Sequence, residues 1–201
     1  MMQNLHQLKE SPSQTAGPYV HIGCMPNFLG NTGTYPVDLG VSPMLDGALG
    51  QAITITGRVI DGAGMVLRDV MIESWQADAA GHYPGQPGAD ANVTGWARFA
   101  ADFDTGFWTL HTIKPGRAPA PNGQLMTPHI ALWIVARGIN IGLQTRICFA
   151  DEAPANAACP VLARVEHKDR IATLLAHATA PGTYSFDIHL QGDAETVFFD
   201  I

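Results

Sequence analysis

Eight histidines and four tyrosines are the side chains here with the richest chemistry. No two histidines stand in HxH, HxxH or HxxxH spacing and there is no HExxH, so no local segment offers a zinc-type ligand pair. Scattered His and Tyr residues that converge in a fold suit a different ion. A hard trivalent cation such as ferric iron favours phenolate oxygen, and its charge lowers a tyrosine pKa enough to deprotonate it. Tyr83, His111, His129 and His189 are the candidates for such a cluster. Taken singly, each of them is better explained by packing or by a surface position. GxSxG, the P-loop and GxGxxG after a strand are absent, which leaves hydrolase and dinucleotide readings without support.

The elements that must position these residues are short. Gly and Pro supply 21 and 14 of the 201 residues, a composition of many turns. Ile53, Ile55, Gly57 and Val59 alternate with Thr54, Thr56, Arg58 and Ile60, the period of a half-buried strand. Asp61-Gly62-Ala63-Gly64 supplies turn chemistry, and 66–75 reads as the returning strand. Further strands are expected over 95–99, 107–112, 129–136, 143–149 and 183–190. Segments 151–158 and 166–178 read as helices, the second with Ile171, Leu174 and Leu175 on one face. About seven strands and brief helices predict an all-β sandwich. Its expected extent is 51–201. Eleven Gly or Pro residues between Gly17 and Gly50 make 1–50 an irregular N-terminal arm, which must lie on the domain or on a partner chain.

Composition sets outer bounds. A formal charge of −7 with only 11 Lys and Arg argues against nucleic acid or an anionic membrane as partner. The N-terminus lacks an apolar core of the secretory kind, and the longest apolar run, 130–136, is too short to span a bilayer. Three cysteines without CxxC spacing (Cys24, Cys148 and Cys159) read as free thiols in a reducing compartment. A cytoplasmic protein is expected.

The ordered motifs have a family likeness. Val70-Met71-Ile72-Glu73-Ser74-Trp75-Gln76-Ala77-Asp78, then Gly81-His82-Tyr83, resembles the (I/V)E-x-WQA(D/N) strand and Gly-x-Tyr loop of intradiol ring-cleavage dioxygenases. Thr112-Ile113-Lys114-Pro115-Gly116 and Pro128-His129-Ile130 fall at that family's TIKPG and histidine segments. The likeness covers essentially the whole chain. Segments 13–20, 136–141 and 195–200 narrow it to the iron-free chain of the family's two-chain members.

One departure carries the functional expectation. Catalytic chains of the family bind Fe(III) through two tyrosines and two histidines, in Gly-x-Tyr, PGxYPW and AHIHF. Tyr83 and His129 stand at the first of each, but Ala118 and Ala131 occupy the second positions. Alanine cannot coordinate a metal, so this chain is expected to hold no iron and to be inactive alone. The resemblance implies a 1:1 pair with a homologous iron-bearing chain, repeated into a larger assembly, with the working site at their interface. Its reaction would be cleavage of 3,4-dihydroxybenzoate by O2 to 3-carboxy-cis,cis-muconate. By the same resemblance, Thr15, Gly17, Pro18 and Tyr19 line that site and Arg137 lies close to it. Arg137 directly follows an apolar strand, where a buried guanidinium would need an anion. Two other readings compete. A single-chain metalloenzyme would need two ligands not yet placed, and a binding module would lack chemistry altogether.

Overall fold

The computed structural model describes residues 15–17 and 19–200. Its strands are β1 (Ala52–Gly57), β2 (Val59–Ile60), β3 (Met71–Gln76), β4 (Trp96–Ala100), β5 (Trp108–Ile113), β6 (His129–Val135), β7 (Leu143–Phe149), β8 (Leu175–Ala180), β9 (Thr183–Ser185) and β10 (Ile188–His189). Two helices, α1 (Tyr19–Cys24) and α2 (Ala153–Ala157), and a few 3-10 turns complete it. The strand order β4-β3-β6-β7-β8-β9-β1-β5 forms one long, folded-over sheet, and β2 and β10 pair separately. The two halves meet where β7 pairs in parallel with β8 over only Cys148↔Leu175 and Phe149↔Ala176.

Alternation explains the layers. Ile53 and Ile55 of β1, Trp108 and Leu110 of β5, and Ile130, Leu132 and Ile134 of β6 point inward to one apolar core. The opposite face of β6 carries His129, Ala131 and Trp133, and it is this face that bears the chemistry. Gly57 ends β1 for a steric reason: the Phe186 carbonyl occupies the space a Cβ would need. That contact also interrupts both expected long strands, 53–60 and 183–190, into pairs.

Two local expectations fail. Segment 66–75 does not return along β1. Only a bridge Ile60↔Val66 forms before the chain crosses to pair β3 with β4 and β6. Segment 166–178 is not one helix. A 3-10 stretch, Lys168–Leu174, buries Leu174, and β8 then begins at Leu175 because the exposed backbone of β7 captures it. The 151–158 segment is helical at its centre, over Ala153–Ala157.

The stretch 24–40 of the N-terminal segment lies against the β4 edge. Arg98 of β4 pairs with Glu73 at 2.6 Å and donates to the Cys24 carbonyl at 3.2 Å. Asp38 accepts from the amides of Asn27 and Phe28, and the Arg98 amide donates to the Gly40 carbonyl. The short helix α1 forms despite the many glycines and prolines around it. Cys24, Cys148 and Cys159 are free thiols. Among the described residues no helix is long and apolar enough to cross a membrane.

Candidate functional site

Two groups of sequence-predicted residues assemble at opposite ends of β6. The first surrounds His129. Gln76 at the end of β3 is fully buried; its amide donates to the Ile113 carbonyl and its Oε1 accepts from Thr112, clamping β3 to β5. Asp78 then folds the next loop. Its Oδ1 accepts from the Ala80 and His82 amides and its Oδ2 from Asp90. Burial works against the charged Asp78, but those three donors prevail and hold its pKa below the usual carboxylate range. Gly81, at φ +90°, turns the loop where the Arg117 carbonyl leaves no room for a Cβ. Tyr83 is thereby laid flat on Trp75, with ring centroids 5.9 Å apart.

The Tyr83 hydroxyl and His129 Nε2 stand 3.5 Å apart, at the limit of hydrogen-bond range. His129 Nδ1 lies 2.9 Å from the Thr127 carbonyl and carries the ring proton, leaving Nε2 as acceptor. Burial, reinforced by Arg146, lowers the His129 pKa to about 4 against the Thr127 hydrogen bond. Burial also raises the Tyr83 pKa, with Arg146 opposing. Both groups are neutral at physiological pH.

Ala118 and Ala131 complete the picture. Ala118 is buried in the apolar cluster on which Tyr83 packs. Ala131 lies between Trp75 and Arg146 on the adjacent strands. The cluster therefore offers two metal donors, and among the described residues no three His, Cys, Asp or Glu side chains converge. These residues do not fit a ferric ion. His111 is elsewhere, bonded to Thr54 across the β1–β5 pair, and His189 lies in β10 beside β2.

The second group lies about 20 Å along β6, at its other end. Thr15 Oγ1 accepts from the Gly138 amide at 2.7 Å and lies 3.0 Å from the Ile139 carbonyl, fastening the arm to the loop after β6. Gly17 and Arg137 line a cavity of about 220 Å³ there, with His21 and Asp69. Tyr19 opens α1 and is 81% exposed; Pro18 lies outside the described residues. Arg137 is not buried. Its side chain is 74% exposed and pairs with Asp69 at 3.1 Å, because the chain leaves the sheet one residue earlier.

Sequence reasoning missed Arg146 and gave Lys114 no role of its own. Lys114 reaches Asp151 and Glu152 at 3.0 and 2.8 Å and lies over the Phe149 ring, so it ties β5 to the segment before α2. Arg146 was hidden in a strand pattern; only the register opposite Ala131 reveals it.

A family model described as a dioxygenase matches residues 25–192. The protocatechuate 3,4-dioxygenase alpha chain of Pseudomonas putida is 46% identical over 196 residues, covering 96% of this chain and 97% of that one. The chain belongs to the intradiol ring-cleavage dioxygenases. The beta chain of protocatechuate 3,4-dioxygenase from Burkholderia cepacia is also similar, 39% identical over 79 residues, covering 37% of this chain and 33% of that one. Among solved structures, the 3-chlorocatechol 1,2-dioxygenase of Rhodococcus opacus 1CP matches with a TM-score of 0.55 and 25% identity, over 74% of this chain and 63% of that one. Intradiol dioxygenases are thus the chain's relatives in sequence and in fold. The expected β-sandwich of this family is the observed architecture.

Proposed function

We propose that this chain is the iron-free half of an αβ intradiol dioxygenase. A homologous partner binds Fe(III) and cleaves 3,4-dihydroxybenzoate with O2 to 3-carboxy-cis,cis-muconate, at a site this chain completes. The observation that carries the reading is the separation of the two groups along β6. Tyr83 and His129 lack two of the four donors, while Thr15, Gly17 and Arg137 gather too far away to serve them. A substrate wall made by the second group would act on the iron of another chain. The exposed apolar side chains of the arm, among them Tyr19, Val41 and Leu49, support its packing on that partner. On this reading the arm segment 15–19, Pro18 included, contributes shape and exclusion of water, and Arg137 contributes positive charge. The pair is 1:1 and repeats into a larger assembly.

The test is production of this chain alone, of the partner alone, and of both together. Iron, the tyrosinate charge-transfer colour and turnover are expected in full only from the co-produced complex. Stoichiometric iron with that absorption in this chain alone, or full turnover by the partner alone, refutes the proposal.

A further inference from the structure

A second cavity, of about 640 Å³, opens beside the Tyr83–His129 cluster, and its character is set by Arg146. This arginine projects from β7 on the face shared with Ala131, and it is half-buried. Its guanidinium lies 3.4 Å from the Met126 thioether and over the Phe199 ring, 5.6 Å from the centroid. Among the described residues it has no carboxylate partner, whereas the neighbouring Arg170 is neutralised by Glu195 at 2.8 Å. A half-buried guanidinium with no carboxylate beside it keeps its planar fork of donors free for an anion. The rest of the lining is mixed: Val161, Val165 and Val197 with Phe199 form an apolar wall, and His167 and Arg170 share the cavity with Arg146. Arg164, Glu166 and Asp200 stand at the exposed rim, where water screens them.

We propose that this cavity binds a small aromatic carboxylate, with the carboxylate on Arg146 and the ring against the apolar walls. The volume leaves ample room for a single-ring ligand, Arg146 offers a forked donor matched to a carboxylate, and the apolar wall offers a flat ring a surface to pack on. Inorganic phosphate satisfies the charge but leaves that wall unused.

The probe is benzoate, measured by equilibrium dialysis against the full chain in the assembly in which it purifies. Saturable binding is expected, and Arg146→Gln should remove one site per copy of this chain, or weaken it at least tenfold. Val161→Phe, which narrows the apolar wall and leaves the charge in place, should weaken binding as well. Circular dichroism and the unfolding midpoint verify that each variant is folded. If the assembly contains iron, its visible absorption should be the same in variant and parent, so the lost site is not the metal site. Benzoate stoichiometry unchanged in both variants overturns the proposal, as does the absence of any site sensitive to Arg146. Displacement of benzoate by equimolar phosphate overturns the aromatic assignment.

Discussion

Single residues decide which chemistry is open to this chain, and His129 shows how. Its ring is kept neutral by burial and by Arg146, which push the pKa down from 6.5 to about 4. An unfolded chain would take up the proton near 6.5, whereas the folded chain resists it until much lower pH. Stability is thus untouched by this group above pH 6.5 and falls as pH drops toward 4, by on the order of 3 kcal/mol. Urea unfolding from neutral pH to 4 should show that loss in the parent and not in His129→Gln; a pH-independent gap between them contradicts it. Arg137 is a different case, exposed and held by Asp69. If it faces a carboxylated substrate across the interface, Arg137→Ala should cost roughly 1.5–3 kcal/mol in kcat/KM for 3,4-dihydroxybenzoate. Unsubstituted catechol should be spared. Equal losses on both substrates assign Arg137 to structural support, and no loss on either removes it from the site.

Elements translate those residues into geometry, and here the sequence was legible unevenly. The stretch 73–78 reads almost completely in physical terms. Glu73 pairs with Arg98, Trp75 stacks on Tyr83, Gln76 clamps two strands and Asp78 organises the following loop. Strand β7 was visible to the residue, because its apolar positions alternate between Gly and Asp boundaries. The helix expected over 166–178 was not found, because apolar spacing cannot show that an open strand edge lies nearby to capture residues 175 and 176. Nor can spacing show which strand stands opposite another, so the closeness of Arg146 to Ala131 stayed hidden. Lys114 illustrates an element-level test. Its charge is opposed by burial, but its hydrogen bonds to Glu152 and Asp151 prevail and raise its pKa. Lys114→Met should leave two carboxylates facing a gap and cost about 1.5–3 kcal/mol of stability. An unfolding midpoint equal to the parent's would show that the tie is dispensable. The arm allows a complementary test. Deleting residues up to Tyr19 removes the Thr15 contacts with the loop after β6 but none of the sandwich core. The truncated chain should fold with a near-parental midpoint yet fail in assembly or turnover, and full turnover by a truncated complex contradicts the role given to the arm.

At the scale of the whole molecule, the sandwich keeps two regions apart on one strand: one end holds Tyr83 and His129 beside the larger cavity, and at the other the arm meets Arg137. The three thiols report on these regions separately. Cys148 and Cys159 are buried in the cluster below Tyr83, and burial, with Cys159 as neighbour and Arg146 opposing, pushes the Cys148 pKa up to about 12. With Cys148 held as the unreactive thiol and Cys159 shut off from solvent, neither should be modified in the native chain at neutral pH. Cys24 is different. It is half-buried at the end of α1, in the small cluster that seats the arm on Met71 and Val135. A thiol titration should therefore find no more than one reactive group in the native chain and three after unfolding. If the arm packs against a partner, Cys24 should lose its reactivity when the complex forms, while Cys148 and Cys159 stay silent throughout. Reaction of Cys24 at the same rate in the chain and in the complex would mean that the partner does not cover this end of the molecule, and the interface would have to be sought on another face.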